Sequence, residues 1–190
     1  MILDLGCGKA KRDGTIGVDF VEMPGVDIVC DLNERFPFPD NSVDGIYASH
    51  ILEHLDDILF IMNEIWRICK PNAWVKVWVP HFSSGTTTWG DPTHKRPFTI
   101  STFEYFTPGS DVHYINARFE VESVKLNFNL GGGHGKGTKL RHLIYFYLGR
   151  AVEQFVNRSR LAQKRFESRW CQLFPFSELY IVLRVIKNEM

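Results

Sequence analysis

Short apolar runs alternate along the chain with polar connections that are rich in glycine, proline and acidic residues. Runs of this length, bounded by turn-forming residues, predict buried β-strands. The first strand begins at Ile2 and leads into a turn that ends at Gly8. The other predicted strands cover Ile16–Asp19, 26–31, Val43–Ser49, 74–79, 119–130 and 178–186.

Three segments repeat their apolar residues at helical spacing instead. The predicted helices cover 52–69, 98–106 and 140–166. Pro71 ends the first of them, and Thr99 or Ser101 is the expected N-cap of the second. The polar segment 81–97 predicts a long loop at the carboxyl end of a strand. Because strands alternate with helices and loops, the pattern predicts an α/β fold with a doubly wound, mostly parallel sheet.

The turn after the first strand has the features of a nucleotide-like cofactor site. Gly6 and Gly8 lack a Cβ atom, so the backbone can turn sharply and approach a ligand. Asp19 ends the second strand, where a carboxylate can accept hydrogen bonds from two ribose hydroxyls. Ten residues separate Gly8 from Asp19, against about 20 in a dinucleotide fingerprint. The segment 9–14 therefore predicts a first helix shortened to a turn or so.

Composition narrows the class of protein. The 190 residues are 44% hydrophobic, which suits one globular domain over 1–190. The formal net charge is zero, with 22 basic and 22 acidic residues, so bulk charge gives no argument for nucleic acid. Four separated cysteines favour a reducing compartment. We expect a cytoplasmic protein because a strand opens the chain and no apolar run is long enough to span a membrane.

Seven sequence pieces occur in one order along the first half of the chain. They are Leu-Asp-Leu-Gly-Cys-Gly, Gly-Val-Asp, Asp31-Leu32, Phe-Pro-Asp-Asn-Ser-Val-Asp at 38–44, His-Ile-Leu-Glu-His-Leu at 50–55, Glu-Ile-Trp-Arg-Ile at 64–68 and Lys70-Pro71. This series resembles the class I, Rossmann-like methyltransferases that depend on S-adenosylmethionine. The resemblance covers roughly residues 2–106 and makes them a cofactor-binding core.

The resemblance implies a seven-stranded sheet with an antiparallel last strand, and S-adenosylmethionine as the cofactor. It also assigns site residues by position. These are Asp4, Gly6, Cys7 and Gly8 toward the methionine part, Asp19 toward the ribose hydroxyls, Asp31 and Leu32 toward the adenine, and Ser49 and His50 beside the sulfonium.

The loop 81–97 concentrates titratable side chains after the fifth strand. Open α/β sheets bind ligands at this edge. We expect His94, with Asp91 or His81, to orient or deprotonate the acceptor, since a histidine suits proton transfer near neutral pH. The alternative is a turn over Asp91 to His94 that caps the helix at 98–106.

A different chemistry is suggested by His50, Glu53 and His54, which match the H-x-x-E-H zinc pattern. That pattern would make the chain a zinc hydrolase with a helical metal site. We favour packing and helix capping for Glu53 and His54, and expect no metal. The glycine-rich stretch 131–138 fails the phosphate-loop pattern and predicts a hinge.

The segment 139–169 carries eight Lys and Arg residues against Glu153 and Glu167. Its apolar residues repeat at helical spacing, so it predicts a basic amphipathic helix. Either this is an ordinary surface helix, or an insertion over 138–177 forms a lid. A basic lid would suit an anionic or lipid-like acceptor, or contact with a membrane surface.

Two functions fit these observations. The first is methyl transfer to an oxygen or nitrogen of a small molecule, with nucleic acid disfavoured as the acceptor. The second is a catalytically inactive subunit that binds S-adenosylmethionine and works with a partner. The acceptor and the oligomeric state do not follow from the sequence.

Overall fold

Seven strands and five helices make up the described part of the chain. The computed structural model describes residues 1–111, 115–128 and 139–187, with only the backbone described for 139–145. The strands are β1 (Ile2–Leu5), β2 (Ile16–Asp19), β3 (Ile28–Val29), β4 (Val43–Ser49), β5 (Cys69–Pro80), β6 (Phe119–Asn127) and β7 (Glu178–Val185). The helices are α1 (Ile58–Ile68), α2 (Gly85–Trp89), α3 (Ile100–Glu104), α4 (Lys139–Val156) and α5 (Arg160–Arg169).

The strands form one sheet in the order β3-β2-β1-β4-β5-β7-β6. Neighbours from β3 to β5 are parallel, and β7 is antiparallel to both β5 and β6. This confirms the predicted seven-stranded sheet with an antiparallel last strand. The strand order reverses between β1 and β4, and ligands bind outside the carboxyl ends of strands at such a point. The fold therefore places the candidate site beside residues 6–8 and 50–54.

The two faces of the sheet have different surroundings. On one face, alternate side chains such as Val77 and Ile181 are fully buried in the main core. The opposite face carries a row of aromatic side chains in which neighbouring rings lie 4.5–6.3 Å apart: Tyr47, Trp74, Trp78 and Tyr180. These rings are only partly buried, and the cationic groups of Arg12 and Lys76 lie over them. The second face is therefore amphipathic, whereas the first is apolar.

The connections between the first four strands contain turns and no helix, in a part of the chain that is described throughout. In the first connection, the backbone N–H and the guanidinium of Arg12 both donate to Asp4. In the third, Phe36 and Phe38 are buried against the core. Compact loops thus occupy the places that helices take in a full α/β layer.

Helix α1 begins six residues later than predicted. Asp57 is its N-cap, and its carboxylate accepts hydrogen bonds from the N–H groups of Leu59 and Phe60. Leu52 and Leu55 fit the helical spacing and are buried, but Leu52 lies in a turn and Leu55 in the irregular segment before the helix. The prediction was wrong here because burial in a tight loop reproduces the apolar spacing of a helix.

The helix predicted over 140–166 is two helices. Helix α4 ends at Val156, and the Ser159 hydroxyl accepts from the Ala162 N–H to start α5. Both helices lie between β6 and β7 in the chain, where an insertion was predicted. The predicted loop 81–97 contains the short helix α2, and the glycine stretch 131–138 lies outside the described residues. No helix in the described ranges has the length and apolar character to cross a membrane.

Candidate active site

Two cavities open at the carboxyl edge of the sheet, and His54 lines both of them. The larger has a volume of about 720 Å³, and the smaller has a volume of about 490 Å³. Both volumes fall in the range of small-molecule sites, roughly 300–1,000 Å³. A molecule in one cavity therefore lies beside a molecule in the other, with the His54 side chain at their boundary.

The smaller cavity is built on the glycine turn. Gly6 has a φ of 64°, and a Cβ atom there would lie 2.7 Å from the side chain of Ile51. Only glycine adopts this left-handed conformation without a steric cost. Gly6 and Ile51 line the cavity together with Asp31 and Leu32. The turn thus presents bare backbone to the cavity, as the sequence predicted for a cofactor.

Asp19 also lines the smaller cavity and is held firmly by its neighbours. Its carboxylate accepts hydrogen bonds from the N–H groups of Gly8, at 2.9 Å, and Val21, at 3.2 Å. An ionised carboxylate has about four acceptor sites. Two sites therefore remain for hydroxyl groups of a ligand.

Five of the predicted cofactor residues do not line the smaller cavity: Asp4, Cys7, Gly8, Ser49 and His50. Asp4 is buried and paired with Arg12, whose guanidinium donates at 2.8 Å. Burial, followed by the charges of Asp4 and Asp19, raises the pKa of the Cys7 thiol. Asp4 and Cys7 are buried beside the turn, and contact of all five residues with a cofactor stays a prediction.

His50, predicted beside the sulfonium, lines the larger cavity between two carboxylates. Its Nε2 lies 2.8 Å from Glu178 and its Nδ1 lies 3.2 Å from Glu53. The hydrogen bond to Glu178 and then that to Glu53 raise the pKa of His50 to about 9, against the opposing effect of burial. His50 is therefore a cation at neutral pH, with both N–H groups donating, and it has no lone pair to act as a base.

His94 and Asp91 both line the larger cavity, where the sequence predicted catalytic groups. The His94 ring lies with Nδ1 2.8 Å from the carbonyl oxygen of Thr88 and Nε2 4.0 Å from Asp91. Asp91 accepts from the hydroxyl and the N–H of Thr93, and these bonds lower the pKa of its carboxyl group. The turn of the alternative interpretation is thus present beside the cavity, but it does not cap α3, whose N-cap is Thr99.

His81 lies elsewhere. Its side chain is fully buried, with Nδ1 2.7 Å from the Ser83 hydroxyl and Nε2 2.9 Å from Glu167. Glu167 also accepts from the N–H of Ile100, the first residue of α3. His81 is not among the residues that line either cavity. It joins the end of β5 to α3 and α5.

The sequence favoured packing and capping for Glu53 and His54 over a zinc site, but both line the larger cavity. The rings of His54 and His94 lie 4.7 Å apart in an edge-to-face arrangement. The helix required by the H-x-x-E-H zinc pattern is absent, because residues 50–54 form turns and α1 begins at Ile58. The signal that could have found His54 was its position in the turn that follows β4, at the edge where ligands bind.

Helix α4 covers the larger cavity with Phe146 and Arg150. A Cβ atom on Gly149 would lie 2.0 Å from the ring of Phe128, so the helix touches this ring at its glycine. The Glu153 carboxylate accepts from the Phe128 N–H at 2.9 Å and from Arg150 at 3.0 Å. The insertion thus contributes directly to one cavity wall.

Comparison with known proteins agrees with the fold and the glycine turn. A family model described as a methyltransferase domain matches residues 3–77. A protein of Mycolicibacterium smegmatis named "Probable S-adenosylmethionine-dependent methyltransferase" is 29% identical over 180 residues, which cover 83% of this chain and 64% of the relative. The chain thus spans less than two thirds of that relative's length.

Two solved structures share the fold. A SAM dependent methyltransferase from Archaeoglobus fulgidus has a TM-score of 0.59 and 22% identity, over 96% of this chain and 85% of its own. The methyltransferase chain solved with the Haloferax volcanii Trm112 activator has a TM-score of 0.58 and 17% identity, over 98% of this chain and 82% of its own. Over residues 3–77, the chain is therefore similar to the methyltransferase domain family, and it shares the fold of these two solved methyltransferases.

Proposed function

We propose that this chain transfers the methyl group of S-adenosylmethionine to an oxygen or nitrogen of a small molecule. The observation that carries the proposal is the pair of cavities that meet at His54. One cavity has the glycine turn and the acid of the matched domain, and the other is lined by polar side chains suited to a second substrate. Donor and acceptor are thus held side by side, as methyl transfer requires.

The smaller cavity fits the cofactor. Asp19 has free acceptor sites for the ribose hydroxyls, Asp31 and Leu32 line the same cavity and are assigned to the adenine, and the Gly6 backbone can approach the methionine part. The cofactor supplies an activated methyl group on a sulfonium. The protein's contribution is alignment of the acceptor and exclusion of water.

The larger cavity supplies the groups that bind the acceptor. His94 has one ring nitrogen at the Thr88 carbonyl, so its other nitrogen can contact the acceptor's O–H or N–H group. Arg150 and the cationic His50 add positive charge to the walls. Both cations are paired with carboxylates, Arg150 with Glu153 and His50 with Glu53 and Glu178, so the support for an anionic or lipid-like acceptor comes from the basic segment 139–169 and not from this lining.

The test is a turnover assay that measures S-adenosylhomocysteine formed with a panel of small anionic acceptors. We expect His94→Ala to lower turnover by about 10²-fold or more, as loss of a positioned proton-transfer group does, while leaving cofactor affinity unchanged. Thermal unfolding of the same variant is the control for a general loss of structure. Unchanged turnover in His94→Ala would remove that residue from the mechanism.

The second candidate function is an inactive subunit that binds the cofactor and acts through a partner. The Haloferax volcanii relative of similar fold was solved with an activator protein, which favours a partner here as well. Such a subunit would bind the cofactor and form no S-adenosylhomocysteine with any acceptor in the panel. The same assay, repeated with partner proteins added, separates the two functions.

We extend the proposal to the surface of α4 and α5. Large apolar side chains are exposed on these helices and just after them: Tyr147, Leu148, Phe155, Leu161, Trp170 and Leu173. Arg158, Arg165 and Arg169 belong to the same segment. This basic, apolar surface supports the idea of an insertion that meets a membrane surface or a lipid-like acceptor. Four free cysteines support a cytoplasmic location.

A further inference from the structure

Three side chains that commonly bind metals meet where the two cavities join: Glu53, His54 and His94. One ligand atom of each lies within 4.8 Å of the others. Glu53 is fully buried, and its Oε2 is the buried side-chain atom without a hydrogen-bond partner in the described part of the chain. A buried carboxylate oxygen is costly unless it has a partner. A cation beside Oε2 would supply one.

The surroundings fix the protonation of the His94 ring. Its Nδ1 lies 2.8 Å from the carbonyl oxygen of Thr88, which can only accept a hydrogen bond. The proton of the neutral ring is therefore on Nδ1, and the lone pair is on Nε2. A carbonyl that receives one ring N–H is the usual outer contact of a metal-binding histidine, because it orients the ring and sets its tautomer.

The same logic applies to His54. The Thr93 hydroxyl lies 2.6 Å from the carboxylate of Asp91 and donates its proton there. Its oxygen is thus an acceptor for the Nδ1–H of His54, at 2.8 Å. The chain from His54 through Thr93 to Asp91 leaves the lone pair of His54 on Nε2. Both rings therefore hold their Nδ1 protons on outer partners and keep Nε2 free.

We propose that Glu53, His54 and His94 bind a divalent first-row transition metal ion, of which zinc is the natural probe. Two imidazoles and one carboxylate are the donor set of such ions, whereas magnesium and calcium prefer oxygen ligands alone. Glu53 would bind through Oε2 while Oε1 keeps its hydrogen bond to His50. Asp91, with Oδ2 4.0 Å from the Nε2 of His94, is a nearby second negative charge.

The ligand set predicts what the ion binds. Three protein ligands leave at least one coordination position open, and all three residues line the larger cavity. An oxygen or nitrogen of the acceptor can take that position, beside the cavity that holds the methyl donor. This role deepens the proposed function and rests on it, whereas binding of the ion itself does not. With the ion bound, His94 holds the metal and the ion contacts the acceptor.

The experiment is zinc binding to the tag-free chain after dialysis against a chelator, measured by competition with a chromophoric zinc indicator. Glu53→Gln, His54→Ala and His94→Ala each remove one ligand. Glu178→Gln is the matched control, because it makes the same change in the same cavity outside the ligand set. The visible absorption of bound cobalt is a second, independent test for nitrogen and oxygen ligands. If His94→Ala fails to fold, His94→Asn replaces it.

We expect the wild type to bind one zinc ion per chain. Each ligand variant should lose zinc binding or bind zinc more than about 100-fold more weakly, beyond the roughly 10–100-fold loss that is typical of an outer contact. Glu178→Gln should stay within that smaller range. No zinc binding by the folded wild type, or equal binding by Glu53→Gln and Glu178→Gln, would overturn the proposal. Calorimetry with S-adenosylhomocysteine on the same samples distinguishes the metal site from the proposed function. A chain that binds S-adenosylhomocysteine but no zinc refutes only the metal site. A chain that binds zinc but no S-adenosylhomocysteine refutes only the proposed function.

Discussion

Two left-handed glycines in one turn differ in what surrounds them. Gly6 has a φ of 64° and Gly8 a φ of 51°, so an alanine at either position incurs about 1–2 kcal/mol of backbone strain. A Cβ atom on Gly6 would collide with Ile51 at 2.7 Å, whereas one on Gly8 meets nothing within 4 Å. Ile51 lines the smaller cavity. The two positions therefore separate backbone strain from damage to the cavity.

We predict that Gly6→Ala weakens S-adenosylhomocysteine binding by roughly tenfold to a hundredfold, since an overpacked contact costs about 1–3 kcal/mol. Gly8→Ala should lower thermal stability through backbone strain similar to that of Gly6→Ala, but it should change the affinity for S-adenosylhomocysteine less. Calorimetry and thermal unfolding of both variants check this. Equal affinities for the two variants would contradict the steric account of the turn.

The cysteines test the same cavity without mutation. Cys30 is partly exposed and lines the smaller cavity, and burial followed by the charge of Asp31 raises the pKa of its thiol; Cys69 is buried, which raises the pKa of its thiol to about 12. We predict that a thiol reagent modifies Cys30 first, that S-adenosylhomocysteine slows this reaction, and that Cys69 reacts only after unfolding. Mass spectrometry of timed samples identifies the sites. Modification of Cys30 at the same rate with and without the ligand would place the ligand elsewhere.

At this scale the sequence predicted the cavity residues at the ends of β1 and β2 but not the pairings of side chains that are distant in the chain. Gly6 and Asp19 line the cavity as expected from their positions at strand ends. His50 is held by Glu178, which is 128 residues away. His81 is drawn into the interior by Glu167 on α5. A local sequence pattern does not predict hydrogen bonds between side chains that are this far apart in the chain.

At the scale of elements, one arginine holds the loop between β3 and β4, a connection that contains no helix, against α1. Arg67 on α1 donates to the carbonyl groups of Phe36 and Phe38, at 3.0 and 2.9 Å, and to both oxygens of Glu64. Glu64 also accepts from the N–H of Phe36. The loop between β3 and β4 is thereby fastened to α1 by a forked side chain.

We predict that Arg67→Lys lowers the free energy of unfolding by about 1–3 kcal/mol, because lysine cannot reach several acceptors in a fork and leaves buried ones unpaired. Arg158→Lys is the matched control at an exposed position, with an expected change within about 0.5 kcal/mol. Denaturant unfolding of both variants measures the difference. Similar stabilities would mean that the loop does not depend on Arg67.

Element boundaries show which signals are reliable. The bounds of β4 are those predicted, since an apolar run between turn formers has few alternatives. Predicted helix 140–166 was wrong over residues 157–159, where Asn157 turns to accept from the Leu126 N–H and to donate to its carbonyl. That contact with β6 is tertiary, so the helical period of the sequence did not reveal it.

At the scale of the whole molecule, the surface of α4 and α5 is the feature that a partner or a membrane would meet. Phe155 and Leu161 are 62% and 58% exposed, so their replacement should leave the core intact. We predict that the wild type sediments with vesicles of anionic phospholipid, more at low salt than at high salt, and that Phe155→Ser with Leu161→Ser reduces this binding.

Val29→Ser is the control for that experiment, because Val29 is similarly exposed, at 55%, on the edge strand β3. Its binding to vesicles should match the wild type. If the wild type does not bind anionic vesicles, the proposed membrane contact of this surface is wrong, and the acceptor is to be sought among water-soluble anions.

The central claim is that the cavity built on the glycine turn binds S-adenosylmethionine beside the acceptor cavity. Calorimetric titration of the full chain with S-adenosylmethionine tests it most directly, with Asp19→Asn as the variant and the exposed Asp13→Asn as its control. We predict one site per chain in the wild type and in Asp13→Asn. Asp19→Asn should bind at least about tenfold more weakly, because loss of a charged hydrogen-bond acceptor costs roughly 1.5–3 kcal/mol. A folded wild-type chain that binds no S-adenosylmethionine, or an Asp19→Asn variant that binds it as tightly as the control, would contradict the account.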